Sequence, residues 1–270
     1  MRRTYVVTGA ASGIGAATAR RLRDQGDRVI ACDLRDADVI GDLATREGRA
    51  AVVGGVTRLS QGAIDAIIAN AGGGPPETSL ALNFFGAVAT LEGLRPLLKA
   101  SAAPRAVAVS SIASLRNPDP PILAACLNMD EAAAQRASTK AFKEKGQPRS
   151  HPLPEEVEAA LELYGVAKHA LQLWCRREAV KPEWAGAGIP LNVVALGFFD
   201  TPAAAYILSD PQRRAAMGAM VPLRSAYPGR PDEAAAMLCW CVSPENSQMT
   251  GQILFVDGGV ECLARGRRAQ

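Results

Sequence analysis

The chain has 270 residues, 48% hydrophobic and 21% charged, with 30 Lys+Arg against 27 Asp+Glu. That length and apolar content suit one large α/β domain, residues 1–270, and the near balance of charge argues against nucleic acid or an anionic membrane as a partner. No apolar stretch approaches the length of a membrane span and no signal peptide fits the start, so a cytoplasmic protein is expected. The six cysteines form no C-x-x-C pair, and Cys239 and Cys241 with His151 and His169 make too sparse a set for zinc. No metal is expected.

In chain order, Tyr5–Thr8 reads as a buried strand. The glycine loop Thr8-Gly9-Ala10-Ala11-Ser12-Gly13-Ile14-Gly15 follows, then a helix over Ile14–Asp24. Arg28–Asp33 is a second strand ending in an acid, and Val39–Leu43 a short third. Ala63–Ala69 is a fourth, running into Asn70-Ala71-Gly72, and a helix is expected over Leu80–Ala100. A fifth strand begins at Ala106–Val109 and ends in Ser110-Ser111; Leu191–Ala195 and Ile253–Val256 add two more. Continuous apolar strands alternating with helical stretches predict a Rossmann-type, doubly wound parallel sheet of about seven strands, with helices on both faces.

From Leu115 to about Glu158 that rhythm breaks. Pro118, Pro120, Pro121, Pro148, Pro152 and Pro154 flank an Ala-rich stretch, Asp130–Ala137. The segment reads as an insertion with a helix or two of its own, ahead of the helix that carries Tyr164. It is either a lid or binding surface or a passive surface excursion. The basic end, from about 264 to 270 with Arg265-Gly266-Arg267-Arg268, reads as a frayed, solvated tail.

Two motifs carry chemistry. A glycine loop between a strand and a helix lets the backbone approach a pyrophosphate held at the helix N-terminus. Asp33, ending the next strand, would accept hydrogen bonds from the adenine-ribose hydroxyls and repel a 2′-phosphate, which favours NAD(H) over NADP(H). Arg35 is the complication, since it would bind that phosphate if the loop swung. Asp42, followed by Leu43, is an adenine contact or a solvated acid. Tyr164 and Lys168 lie four apart on a helix and so share a face, where the ammonium can act on the phenol and on a bound ribose. One motif holds a dinucleotide and the other moves a proton, which together read as an oxidoreductase. His169 points about 100° away from Lys168 and reads as structural. His151 reads as an exposed turn residue.

Thr8-Gly-x-x-x-Gly-Ile-Gly15, Asn70-Ala-Gly72, Asn83, Ser111, Tyr164-x-x-x-Lys168 and Asp257-Gly258-Gly259 resemble the short-chain dehydrogenase/reductase pattern, in its order and over nearly the whole chain. Leu34–Ile40 with Asp42-Leu43, and the long insertion before the tyrosine, resemble its bacterial 3α-hydroxysteroid dehydrogenase/carbonyl reductase branch. The resemblance implies a catalytic set of Asn83, Ser111, Tyr164 and Lys168. Tyr164 would be the acid/base, its phenol lowered by Lys168 and the nicotinamide's charge. Ser111 would bind the substrate oxygen, Lys168 the ribose, and Asn83 a water in the proton relay. It also implies cofactor contacts from Gly9, Ser12, Gly13, Ile14, Gly15, Asp33, Leu34, Asp42, Leu43, Asn70, Ala71, Gly72, Gly197, Phe199 and Thr201, besides Tyr164 and Lys168.

The implied substrate is a secondary alcohol or ketone on a hydrophobic, steroid-like molecule. Its cleft would lie outside the carboxyl ends of the strands, lined by Phe198, Phe199, the stretch Ala203–Met220 and parts of the insertion. A homodimer is implied, or a homotetramer. Leu196 departs from the pattern, standing where the family commonly has proline. Blander readings stay open: Tyr164 as a core tyrosine, Ser110 and Ser111 as turn residues, and Asn83 as a structural bridge. So do two other functions, a pathway ketoreductase on a polyketide or sugar-like intermediate and an NAD(H)-sensing module without turnover.

Overall fold

The computed structural model describes residues 2–144 and 155–266; His151, Pro148, Pro152, Pro154 and the tail beyond 266 lie outside the described residues. Seven strands, β1 (Thr4–Thr8), β2 (Arg28–Asp33), β3 (Val39–Ile40), β4 (Ala66–Ala69), β5 (Arg105–Ser111), β6 (Leu191–Leu196) and β7 (Ile253–Val256), pair in parallel in the order β3-β2-β1-β4-β5-β6-β7. Alternate side chains enter the two cores that sandwich the sheet. Val6, Ile30 and Ile67 face one, and Val7, Ala31 and Ile68 the other, which is why these strands carry apolar residues at every position. The strand order reverses between β1 and β4, opening a crevice at their carboxyl ends.

The helices are α1 (Gly13–Asp24), α2 (Arg46–Ser60), α3 (Ala87–Leu94), α4 (Pro120–Leu127), α5 (Glu131–Glu144), α6 (Glu155–Glu178), α7 (Ala205–Leu208), α8 (Pro211–Ala219), α9 (Pro231–Cys241) and α10 (Val260–Gly266). Helices α1 and α9 pack together on one side; α2, α3 and α6 supply Val52, Val56, Leu91 and Leu171 to the core on the other.

Several boundaries differ from the sequence reading. The strand expected over Val39–Leu43 stops at Ile40, because Asp42 O accepts from Thr45 N and turns the chain into α2, a helix the periodicity did not reveal. Gly54 and Gly55 interrupt its pattern, while Thr45 caps it by accepting from Gly48 N. The single helix expected over Leu80–Ala100 is three pieces: a π-turn Ala81–Gly86, α3, and a 3-10 turn Arg95–Ala100 that contains Pro96. The tail expected to fray from about 264 is helical to Gly266, with Arg265 paired to Glu261 at 2.9 Å.

The described part of the insertion is packed in. Asp119 caps α4 by accepting from Ile122 N, and α4 lies on α6 with Ile122, Ala125 and Cys126 buried. Arg49 ties the insertion to the crevice. Its guanidinium grips Glu131 at 2.7 and 2.8 Å and also donates to Leu43 O and Ala81 O, each at 2.8 Å.

Candidate functional site

The end of β1 is built to hold a loop tightly. Thr8 is buried, and its Oγ1 accepts from the main-chain N–H of Asn70 (3.1 Å) and of Ala71 (3.0 Å), while Asn70 Nδ2 donates to Thr8 O at 3.0 Å. The ends of β1 and β4 are therefore stitched side by side. Gly9 and Gly13 adopt φ of +68° and +52°, values that glycine takes at little cost. A Cβ on Gly15 would stand 1.9 Å from Gly9 O, so the loop closes on itself through the missing side chain. Helix α1 starts there. Its N-cap Ser12 makes no side-chain cap bond and its first turn holds no acid, which leaves the amides open to an anion. Ile14 packs on the core, and Thr201, from the loop after β6, lies against Gly13. Gly197 starts that loop, where a Cβ would meet Asp257 Cα at 2.7 Å.

Asp33 ends β2 beside this loop. Its Oδ2 accepts from Ala11 N at 2.8 Å and its Oδ1 from Leu34 N at 2.6 Å. The carboxylate is thus oriented by the glycine loop itself, with Leu34 and Arg35 exposed beyond it. Asp42 is exposed and accepts from Ala44 N at 2.9 Å, whereas Leu43 is buried against the π-turn at Gly86.

The chemically reactive groups converge between β5 and α6. Tyr164 is half-buried and its phenol hydrogen-bonds with the Ser111 side chain. Burial pushes the phenol above its ordinary pKa and outweighs that bond, which pulls it down. Lys168 is 1% exposed; its Nζ sits 5.6 Å from the centre of the Tyr164 ring and donates to Val109 O at 2.8 Å. Burial draws its ammonium down to about 8, with Cys175 opposing weakly. A Cβ on Gly72 would lie 2.8 Å from Asn83 Oδ1 and 3.2 Å from Lys168 Nζ. Glycine there lets the Asn70-Ala71-Gly72 turn, the π-turn and α6 meet. The Asn83 side chain is fully engaged: Oδ1 accepts from Gly73 N, and Nδ2 donates to Gly73 O and Ser79 O, all at 2.9 Å.

Phe199 is placed differently from the rest. Its ring is buried against Gly229, so only its main chain can face the crevice, while Phe198 stacks edge-on to Tyr227 at 6.0 Å. Leu196 extends β6 to its last pairing, between Ser111 and Val256, and is buried. His169 Nδ1 is 3.0 Å from Ser114 O, a structural contact.

The sequence reading missed Gln172, whose buried carboxamide joins Ser110 and Ser114. Its one signal was spacing, since 164, 168 and 172 fall on one helix face. Among the described residues no group of His, Cys, Asp and Glu could hold a metal, and no helix is long and apolar enough to cross a membrane.

Residues 3–120 match the family model for short chain dehydrogenase, and residues 153–261 that for enoyl-(acyl carrier protein) reductase. The 3-alpha-hydroxysteroid dehydrogenase/carbonyl reductase of Comamonas testosteroni is 32% identical over 269 residues, covering 96% of this chain and 97% of that one. The crystal structure of the 3-alpha-hydroxysteroid dehydrogenase from Pseudomonas sp. B-0831 complexed with NADH has a TM-score of 0.83 at 34% identity, covering 98% and 99% of the two chains. The Pseudomonas aeruginosa RhlG/NADP active-site complex has a TM-score of 0.70 at 25% identity, covering 96% of each.

Proposed function

The chain belongs to the short-chain dehydrogenase/reductase family of nicotinamide-dependent oxidoreductases, and within it we propose an NAD(H)-dependent enzyme that interconverts a secondary alcohol and a ketone on a hydrophobic, steroid-like substrate. The carrying observation is the Tyr164 phenol hydrogen-bonded with Ser111, with buried Lys168 beside its ring.

The residues present fit the dinucleotide. Gly15 has no room for a Cβ, the N-terminus of α1 is open to a pyrophosphate, and Asp33 stands at the end of β2. When bound, the nicotinamide supplies or takes up the hydride. Tyr164, with its pKa held above the ordinary value, is protonated at neutral pH and ready to give a proton to a carbonyl oxygen. In the reverse direction it must lose that proton, and the neighbouring Lys168 charge and the Ser111 bond favour the phenolate. Ser111 holds the same substrate oxygen as charge develops on it. Lys168, whose Nζ already donates to Val109 O, would hold the ribose with its remaining protons. Because the Asn83 side chain is spent on Gly73 and Ser79, a water at that end of the relay would use the main chain of the π-turn.

Asp33 supports NAD(H), as does the greater likeness to the relative that carries NADH than to the one that carries NADP. Exposed Tyr206, Met220 and Leu223, around α7 and α8, support an apolar substrate. The proposed assembly is a homodimer, with α4 covering a face of α6 that would otherwise be free to pair; light scattering that returns a tetramer would remove it.

The test is reduced-nicotinamide absorbance with NAD⁺ or NADP⁺ and a panel of hydroxysteroids, aryl carbinols, sugar alcohols and a 3-hydroxyacyl thioester. Turnover with NAD⁺ and ring alcohols is expected. Turnover confined to the thioester or sugars would replace this substrate class with a pathway ketoreductase. Cofactor binding without any turnover would favour the sensing module.

A further inference from the structure

We propose that Gln172 is a positioning residue: by donating to Ser110 and Ser114 at once, it fixes the turn that carries Ser111 against the helix that carries Tyr164. This rests on reading Ser111 and Tyr164 as the proton-handling pair.

Gln172 lies on α6 and is 5% exposed; its Nε2 is 3.0 Å from Ser110 Oγ and 2.7 Å from Ser114 Oγ. The two hydroxyls have already spent their protons. Ser110 Oγ donates to Lys168 O at 3.1 Å, and Ser114 Oγ donates to Ser111 O at 2.6 Å. A serine hydroxyl has one proton, so toward Gln172 both can only accept. Only the NH₂ end of a carboxamide can satisfy two acceptors, and the network therefore fixes which way the amide points.

The consequence is mechanical. Ser110 is the residue before Ser111 at the end of β5, and Ser114 lies in the 3-10 turn Ile112–Leu115 that follows. Gln172 grips both sides of Ser111 from the face of α6 that also bears Tyr164 and Lys168. The Ser111 Oγ itself accepts from Ala113 N, a bond within the turn that does nothing to hold it to the helix. Contact between turn and helix is close, since a Cβ on Gly165, next to Tyr164, would lie 2.6 Å from Ala113 O. Of the further links to α6, the Ser110 Oγ bond to Lys168 O holds the strand end, and His169 Nδ1 to Ser114 O and the Arg116–Glu158 pair hold the far end. Among the described residues, Gln172 is the one side chain that grips both sides of Ser111 at once. Loss of the two donors would let the turn move relative to the helix, and the Ser111–Tyr164 bond would lengthen.

The substitution must keep its volume. Gln172 borders a cavity of about 140 Å³ lined also by Ser114, Arg116, His169 and Arg265, and truncation to alanine would admit water that replaces the lost donors. Gln172→Met fills the space without donors. Gln172→Glu keeps the shape but brings acceptors to hydroxyls that have no proton left to give.

Two readouts decide it. In turnover, both variants should lose about tenfold to a hundredfold in kcat while the NADH dissociation constant stays within about twofold. Independently of turnover, Tyr164 is titrated by tyrosinate absorbance, as the difference from the same protein carrying Tyr164→Phe. The charged groups around the phenol are Lys168, 5.6 Å from the Tyr164 ring, and, beside Gly165, Arg116 in its ion pair with Glu158. Gln172→Met alters neither and adds no charge, so the titration is read on that variant, because a carboxylate at 172 would raise the phenol by its charge alone. The titration should move to higher pH, because the Ser111 bond is what lowers it. Lower melting temperature with kcat and the titration unchanged would overturn the proposal and leave Gln172 a packing residue. A wild type without turnover on any alcohol would count against the functional reading instead, and the titration would still decide this one. Should neither Gln172 variant fold, Ser114→Ala removes the Ser114 half of the clamp from the turn side, together with its bond to Ser111 O, with a shift in the same direction expected and an unshifted curve refuting it.

Discussion

Lys168→Met should make the protein more stable at neutral pH while abolishing its activity. Burial draws the Lys168 ammonium from an ordinary 10.5 to about 8, a difference equivalent to about 3 kcal/mol. The unfolded chain keeps an ordinary lysine that holds its proton to about pH 10. Between about pH 8 and 10.5 the folded protein sheds a proton that the unfolded chain retains, so stability rises with pH across that window, and below it the whole cost is present. Methionine fills a similar volume without charge. It forfeits the bond from Nζ to Val109 O, worth about 1 kcal/mol. The net gain at pH 7 is about 2 kcal/mol, which should raise Tm by about 5 °C in a chain of this size. Thermal melts of both proteins at pH 7 and pH 10 test this. The gap should be wide at pH 7 and nearly closed at pH 10. A variant no more stable than wild type at pH 7, or a gap that ignores pH, would refute the claim that this lysine is buried at a cost.

Gly15→Ala should weaken NADH binding by about a hundredfold or more, because its Cβ would land 1.9 Å from Gly9 O and force the loop open; an unchanged fluorescence titration would contradict it. Asp33→Asn should cut the preference for NAD⁺ over NADP⁺, as a ratio of kcat/KM, by about a hundredfold. An unaltered ratio would mean that the carboxylate serves only the Ala11 and Leu34 amides it already holds.

The parallel sheet was legible because strands buried on both faces leave unbroken apolar runs, as in Val6-Val7 and Ile67-Ile68. The candidate site was legible where its geometry demands a residue type at a fixed spacing: Gly15 against Gly9, Gly72 between Asn83 and Lys168, Tyr164 one turn from Lys168. What stayed hidden depends on tertiary contact. Helix α2 carries Gly54 and Gly55 and is held by its cap and by burial of Val52 and Val56 rather than by periodicity. The π-turn at Asn83 has no local signature; it forms where the side chain of Asn83 clamps Gly73 from ten residues away. Phe199 was legible as a loop residue but not as one whose ring turns into the core, because Gly229 leaves room for it only in the folded chain. The lowering of the Tyr164 phenol expected from Lys168 gives way, in the protein alone, to a raised value, since desolvation outweighs the Ser111 bond. Gln172 acts through two serines distant in sequence, and no spacing rule assigns it a partner.

The central claim is that Tyr164 carries the proton. Pre-steady-state turnover of Tyr164→Phe, with NADH binding measured in parallel, tests it most directly. The rate of the chemical step should fall by about 10³-fold with cofactor affinity unchanged. A variant that retains the wild-type rate would contradict it and return Tyr164 to the core of an ordinary helix.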